Sequence, residues 1–321
     1  MIVRGLAHAL SRGGAQARLS ILIFHRVLPE VDPLFPSEPD ARRFDQIVGW
    51  VSRWFEVLPL EVALRQLHDG ALPARAAAIT FDDGYADNAT HALPILLRHG
   101  VSATFFVATG FADGSCMWND AIIEAIRRSA QPALDLRALG LGLLALTTLA
   151  QRRAAIDTLL AHIKYLAPAQ RQSALAQVVE QAAVALPSDL MMRTEQWKTL
   201  RNAGMQIGAH TVSHPILERI SDDEAQREIA NSKRTLEAEL DVAVNLFAYP
   251  NGKCGRDFAQ RHVQMVRAAG FTGAVSTDAG VATPLCDPHQ LPRFTPWDRQ
   301  RSRFALRMLA NLRHPAPAMP G

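Results

Sequence analysis

Short apolar runs rich in β-branched and aromatic residues recur along the chain and alternate with helical stretches. Strands of this kind, separated by helices, are typical of a mostly parallel sheet or of a barrel. The chain has 321 residues, of which 48% are hydrophobic, so it can bury a large core as two domains or as one barrel. The seven predicted strands are Leu19–Phe24, Phe55–Leu58, Ala77–Phe81, Ala103–Val107, Gln206–Ala209, Asn245–Ala248 and Thr272–Val275.

Three of these strands end in polar residues that can do chemistry. The first strand leads into His25, the third into Asp82 and Asp83, and the fifth into His210. In a barrel, residues at the carboxyl ends of the strands converge on one face, where active sites are built. We therefore expect these side chains to lie close together.

The run Thr80-Phe81-Asp82-Asp83-Gly84 places two adjacent carboxylates immediately before a glycine that permits a sharp turn. Two neighbouring carboxylates at the end of an apolar strand are costly unless a cation holds one of them. A turn with solvated aspartates, or an aspartate that caps the following helix, explains a lone Asp-Asp-Gly better. The motif alone is weak evidence for a site.

The run Gly208–Pro215 contains two histidines, His210 and His214, four residues apart across a turn that follows a strand. A single histidine in such a place is more often a core or loop residue. Two at this spacing can bind the same metal ion, with a carboxylate as third protein ligand and room left for water.

A third segment, Phe247–Gly252, reads Phe-Ala-Tyr-Pro-Asn-Gly and is a strand that runs into a Pro/Gly turn. By itself it predicts only a rigid turn. The three segments together, in this order along the chain, indicate a catalytic site.

In these three segments the chain resembles the NodB-homology polysaccharide deacetylases, also called carbohydrate esterase family 4. The resemblance extends from about Leu19 to Pro296. It implies an α/β fold, a distorted (β/α)7 TIM-like barrel, and a helical insertion is the main departure of this chain from the family. It also implies metal-dependent hydrolysis of an N-acetyl or O-acetyl group on a sugar.

Matched position by position, the resemblance makes Asp82 the general base and Asp83, His210 and His214 the metal ligands. The backbone N–H of Asn251 matches the donor to the oxyanion, since the preceding proline has no N–H. A zinc-type ion would acidify water and polarise the acetyl carbonyl. Zinc is the expected cofactor, and cobalt or nickel also suits an Asp-His-His site.

The third segment departs from the family pattern. Many members carry an arginine there that orients the base, whereas this chain has Ala248. Arg293, which follows the last predicted strand, could reach Asp82 if the barrel closes. An ordinary surface or interface arginine is an equal alternative. Tyr249 is expected to shape the pocket.

The C-terminal Leu-x-x-His segment that supplies a general acid in many members is not evident. His25 instead resembles the histidine of the exopolysaccharide poly-N-acetylglucosamine deacetylase branch, which lies at the N-terminal end of the domain. An imidazolium at this place could protonate the leaving amine. A buried or substrate-binding histidine is the alternative. For Trp118, Trp197 and Trp297, packing in the core is expected rather than stacking on a sugar ring.

The chain is expected to divide into an N-terminal segment over 1–18, the barrel over 19–313 and a disordered tail over 314–321. A stretch from about 119 to 186 is rich in Ala, Leu, Gln and Arg, with helical periodicity and no strand signal. It predicts a helical insertion that packs against the outside of the barrel rather than gripping the substrate.

The charge and the cysteine content indicate which partners and which cellular location to expect. The formal net charge is +3 with no evident basic cluster, so no nucleic-acid partner is expected. No stretch is apolar enough to span a bilayer, although the amphipathic segment Met1–Ala9 could contact a membrane surface. The lack of a secretory signal and three cysteines without a CxxC pair predict a cytoplasmic protein. The oligomeric state is left open.

The sequence thus predicts a metal-dependent deacetylase that hydrolyses the N-acetyl group of an amino sugar in a polysaccharide or its precursor. The expected partner is this N-acetylated carbohydrate. One alternative is a same-fold hydrolase of a non-sugar amide. The other is a catalytically weak carbohydrate-binding homologue, which the missing motif arginine favours and the complete set of aspartates and histidines disfavours.

Overall fold

The computed structural model describes residues 2–314 of the chain. The predicted disordered tail therefore lies, apart from its first residue, outside the described residues. The strands are β1 (Ser20–Phe24), β2 (Glu56–Val57), β3 (Ala76–Phe81), β4 (Thr104–Val107), β5 (Ala133–Asp135), β6 (Leu143–Ala145), β7 (Gln206–Ala209), β8 (Leu246–Ala248), β9 (Gly273–Ala279) and β10 (Leu291–Arg293).

The helices within this range are α1 (Ile2–Leu10), α2 (Ala41–Trp54), α3 (Leu60–His68), α4 (Leu93–His99), α5 (Trp118–Arg128), α6 (Leu149–Ile163), α7 (Pro168–Ala182), α8 (Thr194–Asn202), α9 (Asp222–Leu240), α10 (Gln260–Ala268) and α11 (Arg301–Asn311). None of these helices is long and apolar enough to cross a membrane. A single turn of π-helix, Asn88–Ala92, precedes α4.

Seven parallel strands form a nearly closed barrel in the order β1, β3, β4, β7, β8, β9, β10. The ring returns to β1 because Ile23 N donates to Phe294 O at 3.1 Å and Phe294 N donates to Ile21 O at 2.7 Å. The predicted (β/α)7 barrel is confirmed. Six of the seven predicted strands are in this ring. The predicted second strand is the two-residue β2, which pairs with β3 outside the ring, and β10 is the seventh strand of the ring instead.

Strand β10 was not predicted because it is only three residues long and contains a proline. A proline cannot donate to a sheet and normally demotes a strand assignment. Here one register shift between β9 and β10 accompanies the proline. The consequence for the site is that Arg293 ends a barrel strand instead of following the last one.

The barrel has two apolar layers because successive residues of a strand point to opposite faces. Leu22 and Ile79 pack among the surrounding helices, whereas Ile21 and Ala78 pack inside the barrel with Phe106. All residues of β1 and β3 are buried, as expected for parallel strands covered on both faces.

Helix α3 closes the amino-terminal end of the barrel. The backbone N–H of Glu61 donates to Gln206 Oε1 at 3.2 Å, and its carboxylate accepts from Asn245 Nδ2 at 2.8 Å. These partners lie at the starts of β7 and β8. The opposite end, where the strands finish, is left for the site.

The segment predicted as purely helical also contains a two-stranded antiparallel sheet, β5 with β6. Its strands have three residues each, too few to show a period of two in the sequence. Helices α5, α6 and α7 pack with this sheet around their own apolar cluster, which includes Ile126, Leu159 and Val178.

Candidate metal centre and active-site cavity

Strand β3 delivers Asp82 and Asp83 to the carboxyl end of the barrel in a tight left-handed turn. Asp83 has a φ of 75° and Gly84 a φ of 92°. Aspartate tolerates this conformation better than most residues, and glycine adopts it without strain. A Cβ at Gly84 would come within 3.1 Å of Val107 Cγ1, a tight contact that adds to the preference for glycine. The turn sends the two carboxylates to different partners.

The loop after β7 brings its two histidines together through further left-handed residues. Thr211 has a φ of 66° and His214 a φ of 55°. Glu228 of α9 holds this loop, since its carboxylate accepts from Val212 N at 2.7 Å and from Ser213 N and Oγ at 2.8 Å each. Strained backbone of this kind persists where the surroundings over-determine it, often at functional sites.

Asp83, His210 and His214 form a compact cluster of three ligand atoms. Asp83 Oδ1 lies 3.3 Å from Nε2 of each histidine, and the two Nε2 atoms are 3.1 Å apart. A tetrahedral ion with ligands at about 2.0–2.1 Å holds those ligands about 3.3 Å from one another. The three residues therefore fit one divalent cation.

Proton positions in the cluster also suit a metal. His210 Nδ1 lies 2.7 Å from the carbonyl oxygen of Ala248, which can only accept, so in the neutral ring this nitrogen carries the proton and the lone pair is on Nε2. Burial lowers the pKa of His214 to about 4, which keeps its imidazole neutral. Burial alone would raise the pKa of Asp83, but its interactions with His210, His214 and His25 lower it.

Asp82 is held by Arg293 across the barrel. The guanidinium donates from Nη1 to Oδ1 at 2.7 Å and from Nη2 to Oδ2 at 2.6 Å, in a bidentate pair that is almost fully buried. Ser276 O and Thr80 Oγ1 accept the remaining hydrogen bonds of Arg293, at 2.7 and 3.2 Å. Burial opposes ionisation of Asp82, but Arg293 outweighs it and lowers the pKa of this carboxyl.

The structure therefore brings together the residues that the sequence singled out. A cavity of about 330 Å³ is lined by Asp82, Asp83, His210 and His214, and also by His25 and Asn251. Asn251 adopts a left-handed conformation with a φ of 59°. Arg293 lies behind Asp82, and the ordinary surface position considered for it is wrong because it is 1% exposed.

Part of the wall of this cavity comes from the insertion. Asn119, Asp120 and Arg127 of α5 line it, next to Tyr85. The Tyr85 hydroxyl donates to the Asp120 carboxylate at 3.0 Å. The expectation that the insertion only packs against the outside of the barrel is thus wrong for α5.

Two aromatic expectations are also wrong. Tyr249 is fully buried away from the cavity, where its ring stacks on Phe258 at 3.8 Å and its hydroxyl donates to His289 O at 3.0 Å. Trp297 is 64% exposed and does not pack in the core, whereas Trp197 does.

Trp297 lines a second cavity, of about 430 Å³. This cavity shares four lining residues with the first one: His25, Glu38, Asn251 and Thr277. The two cavities therefore flank the same residues and form adjoining parts of one cleft.

Sequence reasoning missed the residues that hold or surround the named ones. Glu228 lies 14 residues beyond His214 in a helix of ordinary charged composition, and Asp120 lies in the insertion without a motif. The only available signal was the capping box of α9, Ser221 with Glu224, which fixes where that helix starts but not what Glu228 contacts.

Comparisons with known proteins agree with this fold. A family model for polysaccharide deacetylases matches residues 69–274, more than half of the chain. The chain therefore belongs to the polysaccharide deacetylase family, and the resemblance seen in the sequence is confirmed. His25 and Arg293 lie outside the matched segment.

Individual relatives are distant in sequence. YxkH of Bacillus subtilis (strain 168), which bears a polysaccharide deacetylase name, is 20% identical over 269 residues, 83% of this chain and 67% of its own. The Streptococcus pyogenes deacetylase PplD in complex with acetate has 20% identity and a TM-score of 0.62, with 91% of this chain and 98% of that chain covered. IcaB from Ammonifex degensii has 17% identity and a TM-score of 0.59, with 94% and 98% covered. These structures share the fold.

Proposed function

We propose that this protein is a metal-dependent deacetylase that hydrolyses the N-acetyl group of an amino sugar in a polysaccharide or its precursor. Membership of the polysaccharide deacetylase family indicates carbohydrate deacetylation as such. One observation carries the finer proposal: an ionised carboxylate, Asp82, is fixed by Arg293 beside a three-ligand cluster in one cleft.

The cluster of Asp83, His210 and His214 would hold a divalent ion, with zinc as the first candidate. When bound, such an ion acts as a Lewis acid that lowers the pKa of water and polarises a carbonyl group. We assign the other steps of the reaction to side chains and backbone groups of this chain.

Asp82 is the proposed general base. Both of its oxygens accept from Arg293, yet each keeps a second lone pair, so the carboxylate can still take a proton from water. Arg293 fixes its orientation and favours its ionised form. The water oxygen then bonds to the acetyl carbon, and the backbone N–H of Asn251 donates to the oxyanion that forms.

His25 is the proposed general acid. It lines the same cavity as Asp82 from the end of β1. As the C–N bond breaks, His25 gives a proton to the amine nitrogen, and the products are acetate and a free amino sugar.

Arg293 also weighs against the catalytically weak alternative. That alternative rested on the missing motif arginine at Ala248, and Arg293 makes the bidentate contact with Asp82 from another strand. Nothing in the cleft specifically favours a non-sugar amide.

We further propose that the substrate is longer than one sugar. The second cavity adjoins the first through His25 and Asn251, and Trp297 presents an exposed ring on its wall. Aromatic rings exposed in clefts suit the apolar faces of sugars. A neighbouring unit of the chain would occupy this cavity.

The test is to measure acetate and primary amine released from N-acetylglucosamine oligomers by the purified, zinc-loaded protein. The proposal predicts equal amounts of both products, and a loss of about 100-fold to about 10,000-fold in kcat for Asp82→Asn. Asp45→Asn, which changes an exposed carboxylate paired with Arg98, serves as the control and should keep full activity. No acetate from any oligomer, or an unchanged rate in Asp82→Asn, would contradict the proposal.

A further inference from the structure

The positive charge of this protein is concentrated at the two ends of the chain. Residues 1–18 and 299–314 contain eight of the 34 Lys and Arg residues and none of the 31 Asp and Glu residues. The rest of the chain therefore carries a net negative charge, and the net charge of +3 comes from the two basic end segments. The eight basic residues are all arginines: Arg4, Arg12, Arg18, Arg299, Arg301, Arg303, Arg307 and Arg313.

The fold brings these two ends together. Helix α1 packs against α11, and the Arg18 side chain donates to the carbonyl of Leu312, just beyond the end of α11. The sequence showed no basic cluster because the two segments lie almost 300 residues apart. We call the outward-facing side of α1 and α11 the terminal-helix face.

Helix α1 has apolar residues on its exposed side as well as on its core side. Val3, Ala7 and Leu10 follow helical spacing and face the protein, with Ala7 fully buried. Ile2 and Leu6, which are 80% and 50% exposed, form a second stripe one turn apart. Within the described part of the chain, the side chains of this second stripe are not buried against the protein.

Helix α11 repeats this arrangement. Its core side buries Phe304 and Met308, whereas Leu306 is 67% exposed. Arg303 is exposed on the same stripe as Leu306, three residues before it, and Arg313 is exposed two residues beyond the end of α11. Both helices thus combine exposed aliphatic side chains with arginines.

Several of these arginines have no anionic partner within the part of the chain that the structure describes. Arg307 is paired with Asp298 at 2.6 Å. Among residues 2–314, by contrast, no ion pair or side-chain hydrogen bond is made by Arg4, Arg12, Arg303 or Arg313. Their charges are available to an external anion.

We propose that the terminal-helix face docks the protein on an anionic membrane surface. Ile2, Leu6 and Leu306 would enter the boundary between headgroups and acyl chains, as the apolar face of an interfacial helix does. The arginines would contact lipid phosphates, each strengthening binding about fivefold. The exposed aliphatic side chains favour a lipid surface over a nucleic acid, which would be recognised by charge alone.

The experiment is co-sedimentation of the full chain with vesicles at low salt. We expect binding to equimolar phosphatidylcholine and phosphatidylglycerol, little binding to phosphatidylcholine alone, and weaker binding as salt rises. Replacing Arg4 and Arg303 by Gln should weaken binding about 25-fold. The matched control replaces Arg201 and Arg234 by Gln, two exposed arginines that each donate to an asparagine side chain, and should bind as the parent does.

A second variant separates lipid from other anions. Replacing Leu6 and Leu306 by Ser should reduce vesicle binding while leaving the affinity for duplex DNA or heparin unchanged. The proposal is overturned if anionic vesicles are not bound, if the control pair loses as much affinity, or if the serine variant binds vesicles as well as the parent. Acetate release from soluble oligomers should stay the same in all of these variants, so the outcome does not depend on the proposed activity.

Discussion

Replacing Arg293 by Met removes the partner of a buried carboxylate. Arg293 and Asp82 are 1% and 2% exposed, and the guanidinium donates four hydrogen bonds. Breaking a buried ion pair by removing one partner costs about 3–5 kcal/mol, because an uncompensated charge stays buried. The substitution should therefore lower the free energy of unfolding by about this amount.

Urea unfolding followed by circular dichroism measures this effect. Arg98→Met is the matched control, since Arg98 pairs with Asp45 at 2.8 Å in an exposed position, where a pair contributes about 0–1 kcal/mol. The double variant Arg293→Met with Asp82→Asn should cost less than the sum of the two single changes. The reasoning is refuted if Arg293→Met costs no more than Arg98→Met.

The same variants test the positioning role of Arg293. Arg293→Lys keeps a positive charge but cannot make the bidentate contact. It should lower kcat while leaving zinc affinity unchanged, because the three ligand residues do not contact Arg293. Unchanged kcat in a folded Arg293→Lys protein would remove Arg293 from the account of catalysis.

Three further predictions concern residues outside the motifs. Glu228→Gln should weaken zinc binding about 10-fold to about 100-fold, measured by competition with a chelating dye, because the carboxylate orients the histidine loop. Trp297→Ala should lower kcat/KM for a trisaccharide but not for a monosaccharide substrate, and an equal loss on both would contradict the second sugar position. Burial, with the nearby Asp83 charge, raises the pKa of Asp120 to about 7, so the folded metal-free protein binds this proton more tightly than the unfolded chain. Its free energy of unfolding should fall as the pH rises from about 4 to about 7, and Asp120→Asn should flatten this slope.

The sequence predicted the barrel because buried parallel strands read as continuous apolar runs. It predicted where Asp82 and His210 lie because each follows such a run directly, and Asp83 and His214 come one and four residues after them. It could not predict β10, since a three-residue strand with a proline has almost no local signal. Strand β10 is stabilised by pairing with β9 and β1, which are contacts of the folded ring.

The residues around the motifs depend on tertiary structure in the same way. Arg293 reaches Asp82 from 211 positions away only because the ring closes. Asp120 belongs to an insertion whose path over the cleft is set by its own apolar cluster. Tyr249 was misplaced because a strand alternates its faces, and a motif residue can point into the core as easily as into the site. The cytoplasmic location stays a prediction.

The most direct test of the proposed chemistry is the rate of acetate release as zinc is titrated into chelator-treated protein. The account predicts a negligible rate without metal, a rise that saturates at one equivalent per chain, and no rise in a His210→Asn, His214→Asn variant. Among residues 2–314 one cluster of three ligand atoms is present, which gives this stoichiometry. Full activity in the chelated protein, or equal activity in the double variant, would contradict the central claim.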